Sequence, residues 1–190
     1  MLEMAILGLL HDSSIHGYDL RKNLRELLGP FRAFSYGSLY PALKRMEAEG
    51  LIGSEDAAPP PSARSALAGS TSVGSKRAKR VYEITPEGRE RFIELVSDTG
   101  PRNYTDDGFG LRLAFFRFTT PEVRMRILEG RRRQVEQRRD TLRETLAKAS
   151  AGLRRYTAQL QQLALESTER EVGWLNELIA AEIRGESHQA

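Results

Sequence analysis

The chain contains no cysteine. That absence excludes disulfides and thiolate zinc sites, and it fits a reducing compartment. Histidine is nearly as scarce, with three among 190 residues. His11 and His16 stand close together and His188 lies at the far end, too few to complete a metal-ligand set even with "HD" at His11 and Asp12. There is no glycine-rich phosphate loop, nucleophile elbow or paired-cysteine motif. Catalysis therefore lacks its usual residues, and the chain reads as a non-enzyme with neither cofactor nor metal. Long apolar runs are missing too. The opening "MLEMAILGLLH" carries Glu3, lacks a basic leader and a small-residue cleavage site, and is too short to cross a bilayer. It reads as the first helix of a cytoplasmic protein with no membrane partner.

A strong local excess of one charge is also lacking where nucleic acid would be read. The isoelectric point near 9.3 suggests a polyanion as partner. Yet residues 1–53 hold six Lys or Arg against six Asp or Glu, and residues 54–100 hold seven of each; the remaining stretch has sixteen against thirteen, which accounts for the net +3. Bulk charge is thus a weak argument, and local clusters must carry any DNA reading.

What is present is periodicity. Residues 2–10 are apolar at helical spacing, and "HDSSIHG" interrupts with turn formers. "YDLRKNLRELLG" then gives a second helix with Leu20, Leu24 and Leu27 on one face, closed by Gly29 and Pro30. A third helix, about 35–49, has Leu39, Leu43 and Met46 as its buried stripe and Gly50 as its stop. Residues 51–54 and 80–85 have strand character, and the Pro-, Ala-, Ser- and Gly-rich stretch between them cannot bury a core. Thr85 caps a fourth helix with Pro86 at its first position and Phe92, Leu95 and Val96 inward.

Three helices and a two-stranded hairpin outline a winged helix-turn-helix, whose third helix enters the major groove. Pro41 is the odd residue in that helix, since its ring opposes the carbonyl of Gly37. If Ser38 is the N-cap, Pro41 falls at the third helical position, where its missing N–H has no partner anyway. If Ser35 is the cap, the first turn distorts at Gly37. With the apolar stripe inward, Gly37, Pro41, Lys44 and Ala48 point outward, flanked by Tyr40, Ser38 and Arg45. Lys44 and Arg45 suit phosphates or a guanine edge, and Tyr40 suits a phosphate.

The segments "HGYDLRKNL", "YGSLYPALKRMEAEGLI" and "RVYEITPEGRE" resemble the PadR family of bacterial transcriptional regulators over most of residues 1–95. The resemblance implies a homodimeric winged helix-turn-helix repressor of a palindromic double-stranded operator, often released by a small-molecule effector. It places DNA contacts on Tyr18, Ser35, Tyr36, Gly37, Ser38, Tyr40 and Lys44. One departure is the long insert, about 55–79, where the family's wing is a tight hairpin. Its end, "KRAKR", gathers Lys76, Arg77, Lys79 and Arg80, four cations that a wing can lay on phosphates.

The fold expected is therefore mainly α with a small two-stranded wing: a DNA-binding domain over 1–100 and a long-helix, coiled-coil dimerisation domain over 101–187. In the second, Leu142, Leu146, Ala149, Leu153, Tyr156, Leu160 and Leu163 keep an unbroken 4-3 spacing that extends back through Arg139, Val135 and Arg132 to Leu128, roughly 54 Å of helix. After a break near Ser167 and Thr168, Val172, Leu175, Ile179 and Ile183 pack on it or on another subunit. The first helix adds to the dimer interface if its apolar residues exceed what a small domain covers. "RRRQVEQRRD" (131–140) is either a solvated charge run or an anion site. Phe115, Phe116, Tyr156 and Trp174 are either core or the lining of an aromatic effector pocket. Two functions compete: a DNA-binding repressor, and a winged-helix and coiled-coil module that binds only proteins.

Overall fold

The computed structural model describes residues 1–28, 36–56, 80–148 and 155–185. The chain falls into two compact units, Met1–Val96 and Ser97–Ala190.

The first unit contains α1 (Leu2–Leu10), β1 (Ile15–His16), α2 (Gly17–Leu28), α3 (Tyr36–Ala48), β2 (Ile52–Asp56), β3 (Arg80–Ile84) and α4 (Pro86–Ser97). Its core takes Met4, Ala5, Ile6, Leu7 and Leu10 from α1, Leu20 and Leu24 from α2, Leu39, Leu43 and Met46 from α3, and Phe92 and Val96 from α4. Most of the apolar side chains of α1 are thus covered inside its own unit, by packing on α2, α3 and β3, while Leu2 and Leu9 are half-buried.

The sheet has three antiparallel strands in the order β1-β3-β2, one more than the two-stranded wing expected. Ile15 pairs with Tyr82 and His16 with Val81, while Ser54 takes the other side of Tyr82. Two residues carry no periodicity of their own, so only their partner far along the chain makes them a strand. Thr85 joins wing to helix: its Oγ1 donates to the Gly50 carbonyl at 2.7 Å and accepts from the Gly88 N–H at 3.0 Å, capping α4 just ahead of Pro86.

The second unit contains α5 (Asp106–Ala114), α6 (Pro121–Lys148) and α7 (Arg155–Arg184). Here the structure departs from the expected single long helix. The 4-3 register is shared between α6 and α7, which lie antiparallel: Arg124 pairs with Glu182, near the start of one and the end of the other, and Arg143 with Glu169. A 4-3 pattern marks a helix that faces another, and it is met equally by two helices folded on each other. Ala149 and Leu153 lie outside the described residues. Ser167 and Thr168 do not break α7, because a mid-helix threonine can bond back one turn, as Thr168 does to the Ala164 carbonyl at 2.7 Å. Phe109, Ile127, Leu128, Val135, Val172, Leu175 and Ile179 form the core of this unit.

Candidate nucleic-acid interface

Helix α3 is amphipathic: Leu39, Ala42, Leu43 and Met46 are buried, while Gly37, Ser38, Tyr40, Pro41, Lys44, Arg45 and Ala48 are exposed. Its end is set by Gly50 at φ +72°, a left-handed conformation that glycine adopts without strain. There the Gly50 N–H donates to the Glu47 carbonyl at 3.1 Å and the Leu51 N–H to Met46 at 2.9 Å, the paired bonds of a Schellman closure. Its start is Tyr36, which removes Ser38 as the N-cap and puts Pro41 at the sixth helical position. The bond that proline cannot make to Gly37 falls on the exposed face, where water can take its place. Ser35 and the Tyr36 side chain lie outside the described residues, as do Lys76, Arg77 and Lys79 of the wing.

Charge on this face is largely balanced. Arg45 reaches Glu3 of α1 at 3.3 Å and Glu49 one turn on at 3.5 Å. Arg80, at the base of the wing, lies 3.8 Å from Glu47. Both had been expected on DNA, and both are held by acids of their own unit. Lys44 is exposed and has no ion pair among the described residues, and Tyr18 stands well exposed at the start of α2. Where α3 meets the wing, burial first and the Glu47 carboxylate second push the Tyr82 hydroxyl above its ordinary pKa, with the Tyr40 hydroxyl adding to the effect. The phenol therefore stays protonated at neutral pH.

In the second unit the four aromatic candidates do not come together. Phe115 is buried and Phe116 half-buried, Trp174 meets Phe109 edge-on with ring centroids 6.1 Å apart, and Tyr156 is exposed. Tyr156 and Trp174 share α7 but are separated by roughly 27 Å of helix axis, too far to line one small-molecule site within a chain. The arginines of "RRRQVEQRRD" are largely partnered. Arg131 is buried and bonds Asp106 at 2.6 Å and Glu171 at 2.7 Å, Arg138 also reaches Asp106 at 2.8 Å, Arg132 reaches Asn176 at 3.3 Å and Arg139 pairs with Asp140 at 2.9 Å. That arrangement leaves little charge for an anion. Leu175 and Ile179, expected on the long helix or on a second subunit, are covered by α6 of the same chain, whereas Leu142 and Leu146 are half-buried. Tyr156, Leu160 and Leu163 stand 79, 66 and 58 % exposed along one face of α7. The buried Arg112, Arg124 and Arg131 escaped the sequence reading, because a charged residue gives no sign of burial until its partner is known. Among the described residues no cluster of His, Asp and Glu suits a metal ion.

Residues 6–94 match the family model described as the transcriptional regulator PadR-like family. The amino-terminal unit is thus similar to the PadR-like family over nearly its whole length. This is a family of transcriptional regulators and not of enzymes. The negative transcriptional regulator PadR of Bacillus subtilis (strain 168) is similar to the chain, 29% identical over 96 residues, or 50% of this chain and 45% of that regulator. The match therefore spans less than half of the PadR relative. Crystal structures of B. subtilis PadR are also similar: in complex with operator DNA at 23% identity and a TM-score of 0.43, and in complex with p-coumaric acid at 22% and 0.41, each with 95% of this chain and 98% of the other covered. A PadR-like transcriptional regulator of Bacillus cereus is 20% identical with a TM-score of 0.41, over 97% of this chain and 99% of the other.

Proposed function

We propose that this PadR-like regulator is a homodimeric repressor that reads a palindromic operator with the exposed face of α3. The observation that carries this reading is that face itself. Tyr40 and Lys44 project from a helix whose opposite side is locked into the core, on a unit similar to the PadR-like family. Tyr18 at the start of α2 adds a second hydroxyl, Ser38 and Gly37 let the backbone approach closely, and Lys76, Arg77 and Lys79 add positive charge suited to phosphates. Two such helices need a spacing of about one turn of DNA, roughly 34 Å, and a dimer sets it. The face of α7 bearing Tyr156, Leu160 and Leu163 supports that dimer, as it is largely apolar and exposed among the described residues. Release by a small-molecule effector follows the habit of the family, and the edge-to-face pair Phe109 and Trp174 is the aromatic feature of the second unit to test for it. Action in the cytoplasm suits a DNA reader, and among the described residues no helix is long and apolar enough to cross a membrane.

The test is binding to the DNA upstream of the protein's own coding region, against scrambled duplex, at two salt concentrations. Tight, sequence-preferring and salt-sensitive binding is expected, lost in Tyr40→Ala with Lys44→Ala. Absence of salt-sensitive binding to any duplex overturns the reading in favour of a module that binds proteins only.

A further inference from the structure

Arg45 lies beside Lys44 on the reading helix, and a plain count gives that helix two cations for DNA. The geometry points to a different role. We infer that Glu3 is a positioning residue that withholds Arg45 from DNA, so that the helix meets phosphate with Lys44 and the unit's grip on non-operator DNA stays weak. This rests on the DNA-reading function proposed above.

Glu3 sits in the first turn of α1, and its two carboxylate oxygens are divided between two helices. Oε2 faces the Arg45 guanidinium of α3 at 3.3 Å, and Oε1 accepts from Arg91 Nε of α4 at 3.0 Å. The Glu3 side chain is only 20% exposed, whereas that of Arg45 is 56% exposed. A mostly buried carboxylate anchored from a second side cannot follow the arginine outward. To reach a phosphate, Arg45 must therefore leave both Glu3 and Glu49, its neighbour one turn along the helix. The Glu49 contact joins two well-exposed groups and contributes little by itself. Glu3 is the stronger hold, since a less solvated carboxylate is screened less.

The consequence is an electrostatic one. Each phosphate neutralised adds about 0.9 to the slope of log affinity against log salt, whatever the sequence. An arginine at the edge of a reading helix strengthens binding to all DNA alike, so withholding it weakens the grip on non-operator sequence and leaves the ratio between sites to the base contacts. Glu3 restrains that term and, through Arg91, also ties the first turn of α1 to α4.

The experiment measures the salt slope of binding to a random-sequence duplex for the full-length wild type, Glu3→Gln, Arg45→Ala and the double variant, with circular dichroism melts alongside. Arg45→Ala is expected to keep the wild-type slope. Glu3→Gln is expected to steepen it by about 0.9, so that a roughly fourfold rise in salt costs about threefold more affinity than in the wild type. Adding Arg45→Ala is expected to return that slope to the wild-type value, which separates Arg45 from the equally released Arg91. A Glu3→Gln slope equal to wild type overturns the inference, as does a slope lowered by about one unit in Arg45→Ala, and the latter arm decides alone if Glu3→Gln fails to fold. Wild-type protein that binds no duplex overturns the DNA-reading function and the inference together.

Discussion

At the scale of single residues, the tightest constraint lies where α4 crosses the wing. A Cβ on Gly88 would stand 2.0 Å from the Leu51 carbonyl oxygen and 2.9 Å from the Ile84 side chain. The same carbonyl accepts from the Thr85 N–H at 3.2 Å, so it is not free to retreat. Gly88→Ala is expected to cost at least about 1–3 kcal/mol, seen as a lower denaturant midpoint. Gly173→Ala serves as its contrast. Its added methyl meets nothing within 4 Å in the interior of α7, and a gain of about 0.5–1 kcal/mol is expected. Asp98 offers a pH-dependent counterpart. The Gly100 N–H first, then the Asn103 amide and the Arg112 guanidinium, hold its carboxyl below the ordinary aspartate pKa. A depressed folded pKa contributes stability above the unfolded value, near 3.9, and loses it as pH falls through the folded one. Unfolding free energy in Asp98→Asn is expected to fall less steeply than in the wild type as acid is added below about pH 5, and parallel curves would refute the assignment.

At the scale of elements, the hairpin of α6 and α7 is held in register by charge as well as by its core. Arg124 and Glu182 are each 7% exposed and meet at 2.9 Å, and Arg124 also donates to the Thr119 carbonyl at 2.7 Å. Removing one partner leaves the other charged and poorly solvated, so Glu182→Gln is expected to cost about 3 kcal/mol. Replacing both, as Arg124→Met with Glu182→Leu, is expected to recover only part of that loss, because the Thr119 carbonyl then lacks its donor. A double-mutant cycle by chemical denaturation reads both terms, and a single-variant cost within error of zero would show that the pair does not set the register.

At the scale of the whole molecule, the two faces of α7 call for opposite outcomes. Leu175 is fully buried against α6, so Leu175→Ala is expected to cost about 2–5 kcal/mol of folding stability. Leu160 is exposed, so on the proposed dimer Leu160→Glu is expected to leave secondary structure in place while light scattering shows monomers and affinity for the proposed operator drops. A Leu160→Glu protein that remains dimeric would move the interface elsewhere on the chain.

Helix content, the buried stripe of α3, its stop at Gly50, the cap at Thr85 and the wing strands were legible in the sequence, because each depends on local spacing or on a single residue's backbone preference. Tertiary structure alone decided the rest. The strand at Ile15 and His16 exists only through its pairing with β3, and Glu3 meets Arg45 only once α1 packs on α3. The 4-3 pattern identified helices that need a partner, but a periodic stripe is one-dimensional and cannot say which surface covers it. The packing of α6 on α7 made that choice: Leu175 and Ile179 were taken into the chain's own core, and Tyr156, Leu160 and Leu163 were left outside it.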